Sequence, residues 1–368
     1  MKQRTDVCIV GGGPAGLAAA IALRKRGFDV IVADGAEPPI DKACGEGLLP
    51  DSVAALRELG IFLAPSEGRI LRGIRFLEGS NSVEASFPYH QGIGVQRAVL
   101  HRKMLECASE LGITLLWKTP VTQLHADGVT AGDQRITARW IVGADGIRSR
   151  VRRWSGLDYP TRNEVRYATR RHYHVDPWSE CMEIYWGQGA QAYVTPVGTS
   201  RVCVVVISRD PAARFSDLQT EFPLLAKNLA RAKQVRAERG AVTISRRLSH
   251  VYRGNVALIG DASGSIDAIT GEGLSLSFRQ ALALPEALEA NELRLYEKSH
   301  RGLARRPALM GGLLLMLDRH PALRARVMGV LAADPDVFQR FLLVHVGESS
   351  ATQFVKTGAL LGLRLITA

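Results

Sequence analysis

Short apolar runs flank a helical pattern at the start of the chain. Residues 6–10 (DVCIV) and 30–33 (VIVA) are apolar and rich in β-branched side chains, which is typical of strands buried in a parallel sheet. Residues 17–23 (LAAAIAL), between these runs, are good helix formers. The order of strand, helix and strand predicts a βαβ unit.

The rest of the chain shows other patterns. Residues 70–87 alternate apolar and polar positions, and residues 164–208 contain several further β-like runs, which predicts antiparallel pairing. Residues 97–111 place their apolar side chains on one helical stripe. Residues 256–259 are typical of another buried parallel strand, and the segment from about 274 to 368 is largely helical in pattern.

A glycine-rich segment joins the first predicted strand to the first predicted helix. Gly11 permits a tight turn, Gly13 lets the backbone approach a pyrophosphate, and Gly16 lets the helix pack closely on the strand. The helix N-terminus offers free amides to phosphate groups. Asp34 ends the second predicted strand, at about the spacing expected for a carboxylate that binds a ribose hydroxyl. These residues predict a dinucleotide site.

We therefore expect an α/β fold with an α+β insert. A Rossmann-like domain with a parallel sheet is interwoven with an antiparallel-sheet substrate domain, and helices follow at the C-terminus. The length of 368 residues is enough for about two domains. The predicted boundaries are 1–75, 90–160 and 250–300 for the discontinuous dinucleotide-binding domain, 76–89 and 161–249 for the substrate domain, and 301–368 for the helical region.

Composition narrows the class of partner. The net charge of +11, from 47 Lys and Arg against 36 Asp and Glu, favours anionic partners. Basic residues are nevertheless scattered and zinc-finger spacing is missing, so we expect no nucleic-acid partner. The five cysteines are odd in number and unclustered, which argues against a disulfide framework or a metal site.

The sequence also bears on localisation. The chain passes straight into its first strand without the apolar region of a signal peptide, and no apolar run reaches the ~20 residues of a membrane-spanning helix, so we expect a cytoplasmic protein. Residues 308–317 are strongly apolar and are flanked by Arg305, Arg306 and Arg319. They predict either a buried helix or a peripheral membrane contact. The oligomeric state is not predicted.

Two further glycine segments follow predicted strands. Residues 143–146 (GADG) end one apolar run and lead into a basic helix start. Residues 260–264 (GDASG) end the strand at 256–259, where ligands of open α/β sheets bind, and residues 271–273 (GEG) follow. In this order the three segments resemble the FAD-binding fingerprints of the oxidoreductase superfamily that contains aromatic hydroxylases and geranylgeranyl reductases.

Within that superfamily, the sequence is most similar to the geranylgeranyl reductase family. Residues 42–48 (KACGEGL) resemble the cysteine-glycine loop of these reductases, and residues 269–274 (ITGEGL) resemble their Thr-Gly-Glu-Gly turn. Residues 192–198 (AYVTPVG) match their tyrosine-to-proline substrate strand more weakly. The resemblance covers most of residues 5–280 and does not extend to the C-terminal helices.

The resemblance implies a set of residues that bind FAD. Arg97 would reach the flavin or its phosphates, Asp261 would hold the ribityl chain, and the 271–273 turn would place backbone amides at the flavin ring, while Arg148 or Arg152 would meet a phosphate. The implied cofactor-binding residues are Gly11, Gly13, Pro14, Ala15, Gly16, Asp34, Cys44, Gly45, Arg97, Asp145, Asp261, Gly271, Glu272, Gly273 and Leu274. The implied catalytic residues are Cys44, Glu272 and Asp267.

Some of these positions have an ordinary structural interpretation as well. The family usually has a proline shortly after Gly-Asp, where this chain has Ala268 preceded by Asp267, so Asp267 is either an acid near the substrate or an exposed loop carboxylate. Cys44 either lies over the flavin and influences protonation of the product or is a small buried apolar residue. His172 and His174 share one face of a predicted strand. Without further ligands nearby, a metal site is disfavoured; a wall of a polar pocket is a better interpretation, and a surface strand is preferred over both.

The resemblance implies an enzyme. The first hypothesis is a reductase, in which reduced FAD transfers hydride to a hydrophobic unsaturated substrate of prenyl or polyketide-derived type. The alternative is an NAD(P)H-dependent monooxygenase that hydroxylates or epoxidises an apolar or aromatic substrate. NAD(P)H would bind transiently as electron donor, because no second nucleotide fingerprint occurs. A flavin-binding module without catalysis is disfavoured by the separate substrate sheet.

Overall fold

The computed structural model describes residues 2–158, 165–235, 237–349 and 351–367. Its strands are β1 (Lys2–Val10), β2 (Val30–Ala33), β3 (Gly47–Leu48), β4 (Arg69–Leu71), β5 (Gly73–Glu78), β6 (Asn81–Ser86), β7 (Gly92–Gly94), β8 (Thr114–Leu116), β9 (Val121–His125), β10 (Gly128–Ala131), β11 (Gln134–Gly143), β12 (Val165–His174), β13 (Cys181–Trp186), β14 (Ala190–Gly198), β15 (Arg201–Ser208), β16 (Lys233–Gln234), β17 (Arg239–Ile244), β18 (Tyr252–Arg253) and β19 (Val256–Leu258).

The helices are α1 (Pro14–Lys25), α2 (Pro50–Glu58), α3 (Arg97–Glu110), α4 (Arg150–Trp154), α5 (Leu218–Glu221), α6 (Pro223–Leu229), α7 (Gly273–Glu289), α8 (Leu293–Arg319), α9 (Pro321–Ala333), α10 (Pro335–His345) and α11 (Ala351–Thr367). Short 3₁₀ turns lie at Phe215–Asp217, Gly260–Ser263 and Ala268–Thr270.

The first sheet is built around β1, in the order β18-β19-β11-β1-β2-β8. β1 pairs in parallel with β2 and β11, because its apolar residues are suited to burial on both faces. Val7 and Ile9 face the apolar core beneath α1 and α7, whereas Cys8 and Val10 face the core beneath the β9–β10 hairpin and α4. The glycine segments therefore emerge together, at the carboxyl ends of β1, β11 and β19.

The second sheet has the order β16-β12-β15-β14-β13-β5-β6, and β17 also pairs with β12. Its neighbours are antiparallel except for the parallel pair β5–β13. A small sheet has the order β3-β7-β4, and its strands are interspersed along the chain with those of the two larger sheets. One face of the second sheet packs against α6, and the other packs against residues of α8 to α11.

The predicted fold class is confirmed: a Rossmann-like parallel sheet is interwoven with a mainly antiparallel sheet, and helices end the chain. The domain boundaries stay a prediction, and β5 begins at Gly73, before the predicted boundary at 76. Residues 308–317 lie in α8, where Met310 and Gly311 are buried and Leu309 is exposed, and the peripheral membrane contact stays a prediction. In the described part of the chain, no helix is long and apolar enough to cross a bilayer.

Candidate functional site

The first glycine segment forms a close-packed turn between β1 and α1. A Cβ atom at Gly16 would lie 1.9 Å from the carbonyl oxygen of Gly11, and one at Gly11 would lie 2.4 Å from that of Ala144. Gly11 also has a φ of +113°, which side chains disfavour. Gly13 is different, because a Cβ atom there would meet nothing within 4 Å. Gly11 and Gly16 thus serve packing, while Gly13 faces open space.

Asp34 holds this turn in place. Its carboxylate accepts hydrogen bonds from the backbone amides of Gly12 and Ala36, each at 2.7 Å. The buried His101 ring contacts the Gly12 carbonyl oxygen through Nε2 at 2.8 Å, and the Trp117 ring lies against Gly12 from another side. Sequence reasoning missed His101 and Trp117, since neither belongs to a glycine motif. The ribose role of Asp34 stays a prediction.

The three glycine segments meet at one cavity of about 280 Å³, which we call the polar cavity. It brings together predicted residues that are far apart in the sequence, namely Gly13, Pro14, Ala15, Cys44, Gly45, Arg97, Asp261, Gly271, Gly273 and Leu274. Gly146 also lines it, whereas Gly11, Gly16, Asp34, Asp145, Asp267 and Glu272 lie outside its lining.

Two charged groups at the polar cavity lack a partner among the described residues. The Nε atom of Arg97 is buried without a hydrogen bond. The carboxylate of Asp261 is exposed to the cavity and likewise has no bonded group; the surrounding protein raises its pKa, and the nearby charges of Arg97, Lys42 and Arg152 oppose that rise. An unpaired guanidinium suits a phosphate, and an unpaired carboxylate suits a sugar hydroxyl. The residues present therefore fit FAD, as does the open space at Gly13.

The second glycine segment is fixed next to the polar cavity by hydrogen bonds of Asp145 and Arg152. The Asp145 carboxylate accepts hydrogen bonds from the hydroxyl of Ser149 at 2.5 Å and the backbone amide of Arg150 at 2.6 Å, so it caps α4. The buried Arg152 donates to Asp158 at 2.9 Å and to the Ala262 carbonyl oxygen at 3.2 Å. Asp145 thus holds the start of α4, and Arg152 joins the second glycine segment to the third.

The cysteine-glycine loop is anchored by Glu46, which sequence reasoning missed. Glu46 is buried with a φ of +58°. One carboxylate oxygen accepts from Arg170 at 3.0 Å, and the other lies 2.6 Å from Nε2 of His172. Arg170 also makes a bidentate pair with Asp41 at 2.8 and 2.9 Å. The only local signal was an acidic residue between two glycines.

The expectation of a surface strand is wrong for His172, which is 1% exposed, although it holds for His174. Glu46, His172 and Cys203 bring potential metal ligands within 4.8 Å of one another. The Arg170 guanidinium already supplies positive charge to Glu46, so the cluster is better explained as the anchor of the loop. The sulfur of Cys44 accepts from the Glu46 amide at 3.4 Å, and its half-buried side chain lines the polar cavity.

The turn after the third glycine segment is held by a buried ion pair. Asp267 is 2% exposed and accepts from Arg166 at 2.7 Å and from the Ile269 amide at 3.0 Å. The alternative of an exposed loop carboxylate is therefore wrong. Arg166 also donates to Gln191 of the second sheet at 2.9 Å, and Gln191 donates to Asp318 of α8 at 3.0 Å. The network fixes the turn between the sheet and α8.

Backbone groups of this turn are partly used within it. The Gly271 amide donates to the Ala268 carbonyl oxygen at 3.0 Å, and the Glu272 amide donates to the Thr270 hydroxyl at 3.2 Å. Gly273 and Leu274 begin α7, where amides lack partners within the helix. The amides that suit a flavin ring are thus those of Gly273 and Leu274, rather than those of Gly271 and Glu272.

The Glu272 side chain is directed away from the polar cavity. One carboxylate oxygen lies 3.3 Å from Arg306 of α8, and the other lies 3.5 Å from Nδ1 of His345 in α10. Burial raises the pKa of Glu272, and the charges of His345 and Arg306 oppose that rise.

A second cavity of about 320 Å³, the apolar cavity, lies beside this turn. Its walls come from β5, β13, the 268–270 turn and helices α8 to α11. Its lining is almost wholly apolar, with Thr270 and His345 as its polar side chains in the described chain. Met182 lines both cavities. Substrate in the apolar cavity would thus lie next to a group bound in the polar one.

Comparison with known proteins agrees with this arrangement. The family model described as "FAD binding domain" matches residues 4–294. Over 347 aligned residues the chain is 29% identical to the menaquinone reductase of Mycobacterium tuberculosis, covering 84% of this chain and 85% of that protein. It is 30% identical to digeranylgeranylglycerophospholipid reductase 1 of Methanopyrus kandleri, covering 73% and 76%. A flavoprotein/dehydrogenase structure from Cytophaga hutchinsonii has a TM-score of 0.85 at 19% identity, covering 99% of this chain and 100% of that one.

Proposed function

Because the chain belongs to the FAD-binding domain family and is an FAD-dependent oxidoreductase, we propose that it reduces a hydrophobic unsaturated substrate of prenyl or polyketide-derived type. The apolar cavity beside the polar cavity carries this proposal, because hydride transfer requires the substrate double bond to lie next to the flavin. The two similar reductases, named for menaquinone and for digeranylgeranylglycerophospholipid, support reduction over oxygenation.

Each part of the site has a proposed role. Gly13 admits the pyrophosphate, Arg97 binds a phosphate, and Asp261 binds the ribityl chain of FAD. The amides of Gly273 and Leu274 stabilise negative charge on the flavin ring. FAD supplies the hydride when bound, and NAD(P)H is the proposed transient electron donor. The apolar walls exclude water from the reacting atoms.

Product analysis tests this function. The purified protein with FAD is incubated without oxygen with NADH or NADPH and with geranylgeraniol or menaquinone, and products are analysed by mass spectrometry. A gain of two hydrogens is expected. Oxygen uptake that depends on substrate, with an oxygen atom gained in the product, would instead establish the monooxygenase.

A matched pair of glycine variants tests the apolar cavity. Gly362 lines this cavity, and a Cβ atom there meets nothing within 4 Å, so Gly362→Phe is expected to fill it and to abolish reduction. Gly302 has the same free space on the exposed side of α8, and Gly302→Phe should retain activity. Equal activity of both variants would place the substrate elsewhere.

We also propose a peripheral membrane contact near this cavity. Met316 lines the cavity and is 40% exposed, and exposed apolar residues Leu309 and Leu363 accompany it on α8 and α11. The exposed Arg305 and Arg319 would attract anionic lipid. Sedimentation with phosphatidylglycerol vesicles, but not with phosphatidylcholine vesicles, is the expected result.

A further inference from the structure

His345 lines the apolar cavity next to the turn that separates it from the polar cavity. Its ring lines the apolar cavity at the end of α10, and its Nδ1 atom lies 3.5 Å from the Glu272 carboxylate. Glu272 itself stands between Gly271 and Gly273, which line the polar cavity. The imidazole therefore faces the apolar cavity and lies against the turn at residues 270–273, which lines both cavities.

The Nε2 atom of His345 is available to a substrate. His345 is 7% exposed, and its Nδ1 atom is buried 3.5 Å from a Glu272 oxygen without a hydrogen bond. Nε2 has no hydrogen-bond partner among the described residues and is not among their buried unpartnered atoms. The only other polar side chain at this cavity, within the described residues, is Thr270, whose hydroxyl donates to the Asp267 carbonyl oxygen at 3.3 Å. His345 is thus the group that can deliver a proton into the cavity.

Charged groups face His345 from the 271–273 turn and from α8. The buried Glu272 carboxylate is its neighbour, with an oxygen 3.5 Å from Nδ1. Arg306 of α8 lies 3.3 Å from the other Glu272 oxygen and 3.5 Å from Asp51, which is paired with Arg279 at 2.7 Å. The other walls of the cavity, from β5, β13, α9 and α11, contribute apolar side chains and glycine.

We propose that His345 is a catalytic residue that protonates the substrate, and that Glu272 is its positioning residue. The inference rests on the proposed reductase function. Reduced FAD held in the polar cavity would supply the hydride to one carbon of the double bond and would be left oxidised. The Nε2–H bond of the imidazolium breaks, the proton forms a C–H bond at the other carbon, and the ring is left neutral. Solvent then returns the proton to His345.

Single-turnover kinetics test the proposal. Holoenzyme reduced with dithionite is mixed with geranylgeraniol without oxygen, and recovery of the oxidised flavin absorbance is followed. His345→Gln is expected to slow this recovery about 100-fold, the lower range for general acid catalysis. Reoxidation by oxygen should be unchanged, because it does not use the cavity. His320→Gln, at an exposed histidine between α8 and α9, is the matched control and should react as the wild type does.

Glu272→Gln gives the second readout. Its pH–rate profile is expected to differ from that of the wild type, because the anionic neighbour of the His345 ring is removed. The NMR signals of the His345 ring should move for the same reason, independently of activity. These readouts separate positioning from a structural role.

The outcomes distinguish the two proposals. A wild type that reduces neither geranylgeraniol nor menaquinone would overturn the proposed function and this inference with it. A wild type that reduces geranylgeraniol, together with a His345→Gln variant that is within threefold of it, would overturn the inference alone. His345→Asn is a second variant that lacks the proton donor, and flavin reoxidation by oxygen at the wild-type rate in both variants shows that slow reduction does not come from misfolding.

Discussion

At the scale of one residue, the unpaired carboxylate of Asp261 allows FAD binding and stability to be tested separately. Its side chain is exposed to the polar cavity and its pKa is raised, so removal of the carboxylate is expected to leave the stability of the FAD-free protein equal or slightly higher. Asp261→Ala should nevertheless weaken FAD binding by roughly 10- to 100-fold, the value of a hydrogen bond to a charged group. Titration of the deflavinated protein with FAD, alongside chemical denaturation, measures both effects.

Asp336→Ala, at an exposed position in the first turn of α10, is the control for that comparison and should change neither FAD affinity nor stability much.

The raised pKa of Asp261 also sets the direction in which stability depends on pH. A carboxyl with a raised pKa stabilises the fold in its protonated form, so the FAD-free protein should lose this contribution as the pH rises through the raised pKa. Unchanged FAD affinity in Asp261→Ala would contradict the assignment to the ribityl chain.

The stability contributed by His300 is expected to depend on pH in the opposite direction to that contributed by Asp261. Burial lowers its pKa from 6.5 to about 4, and its Nε2 atom contacts the Ser263 hydroxyl at 2.8 Å beneath the third glycine segment. The neutral ring therefore stabilises the fold above pH 6.5, and this stability is lost as the pH falls toward 4. The shift corresponds to about 3 kcal/mol. Chemical denaturation at several pH values should show a smaller loss for His300→Gln than for the wild type.

Some residues of the site could be predicted from the sequence, and others could not. Gly13 and Asp261 stand directly after apolar strands, so a local pattern places them at the carboxyl edge of a sheet. Glu46 contacts Arg170 and His172 from 124 and 126 residues away. Such a contact depends on how the second sheet docks on the cysteine-glycine loop. A single sequence contains no local signal for that docking.

At the scale of elements, different glycines of the turn between β1 and α1 serve packing and FAD binding. Gly16→Ala would place a Cβ atom 1.9 Å from the Gly11 carbonyl oxygen, so α1 must move away from β1. We expect the FAD-free protein to be destabilised by roughly 1–3 kcal/mol or more, the usual cost of overpacking. Gly13→Ala meets nothing within 4 Å and should leave stability within about 0.5 kcal/mol of the wild type.

The ranking of Gly16→Ala and Gly13→Ala by FAD affinity is expected to differ from their ranking by stability. Gly13→Ala is expected to reduce FAD affinity although its fold is intact, because the added methyl group occupies the approach of the pyrophosphate. Isothermal titration of the deflavinated variants measures this. Wild-type affinity in Gly13→Ala would show that the pyrophosphate lies elsewhere.

The elements themselves were predictable where their pattern is local. β1, α1 and β2 follow from apolar runs and helix formers that need no distant partner. The parallel pair β5–β13 was not predicted, since it joins Gly73 to Cys181, which are far apart in the sequence. The C-terminal helices were expected, but their role as walls of the apolar cavity was not, because that role depends on packing against the second sheet.

At the scale of the whole molecule, the Arg166–Asp267 pair couples the second sheet to the turn beside the flavin site. Both side chains are buried, and Arg166 continues through Gln191 to Asp318 of α8. A single substitution that leaves one charge buried and unpaired lowers the free energy of unfolding more than removal of both charges does. The pair therefore sets the relative position of the two cavities.

Asp267→Ala is expected to destabilise the protein by roughly 3–5 kcal/mol, because Arg166 then lacks its anion in a buried site. The double variant Arg166→Met with Asp267→Leu should recover much of this loss. Glu289→Ala, which breaks the exposed pair with Arg26, is the control and should cost at most about 1 kcal/mol. Urea denaturation measures all three. A recovered stability without recovered reduction in the double variant would show that the pair positions the turn for reaction as well as holding the fold.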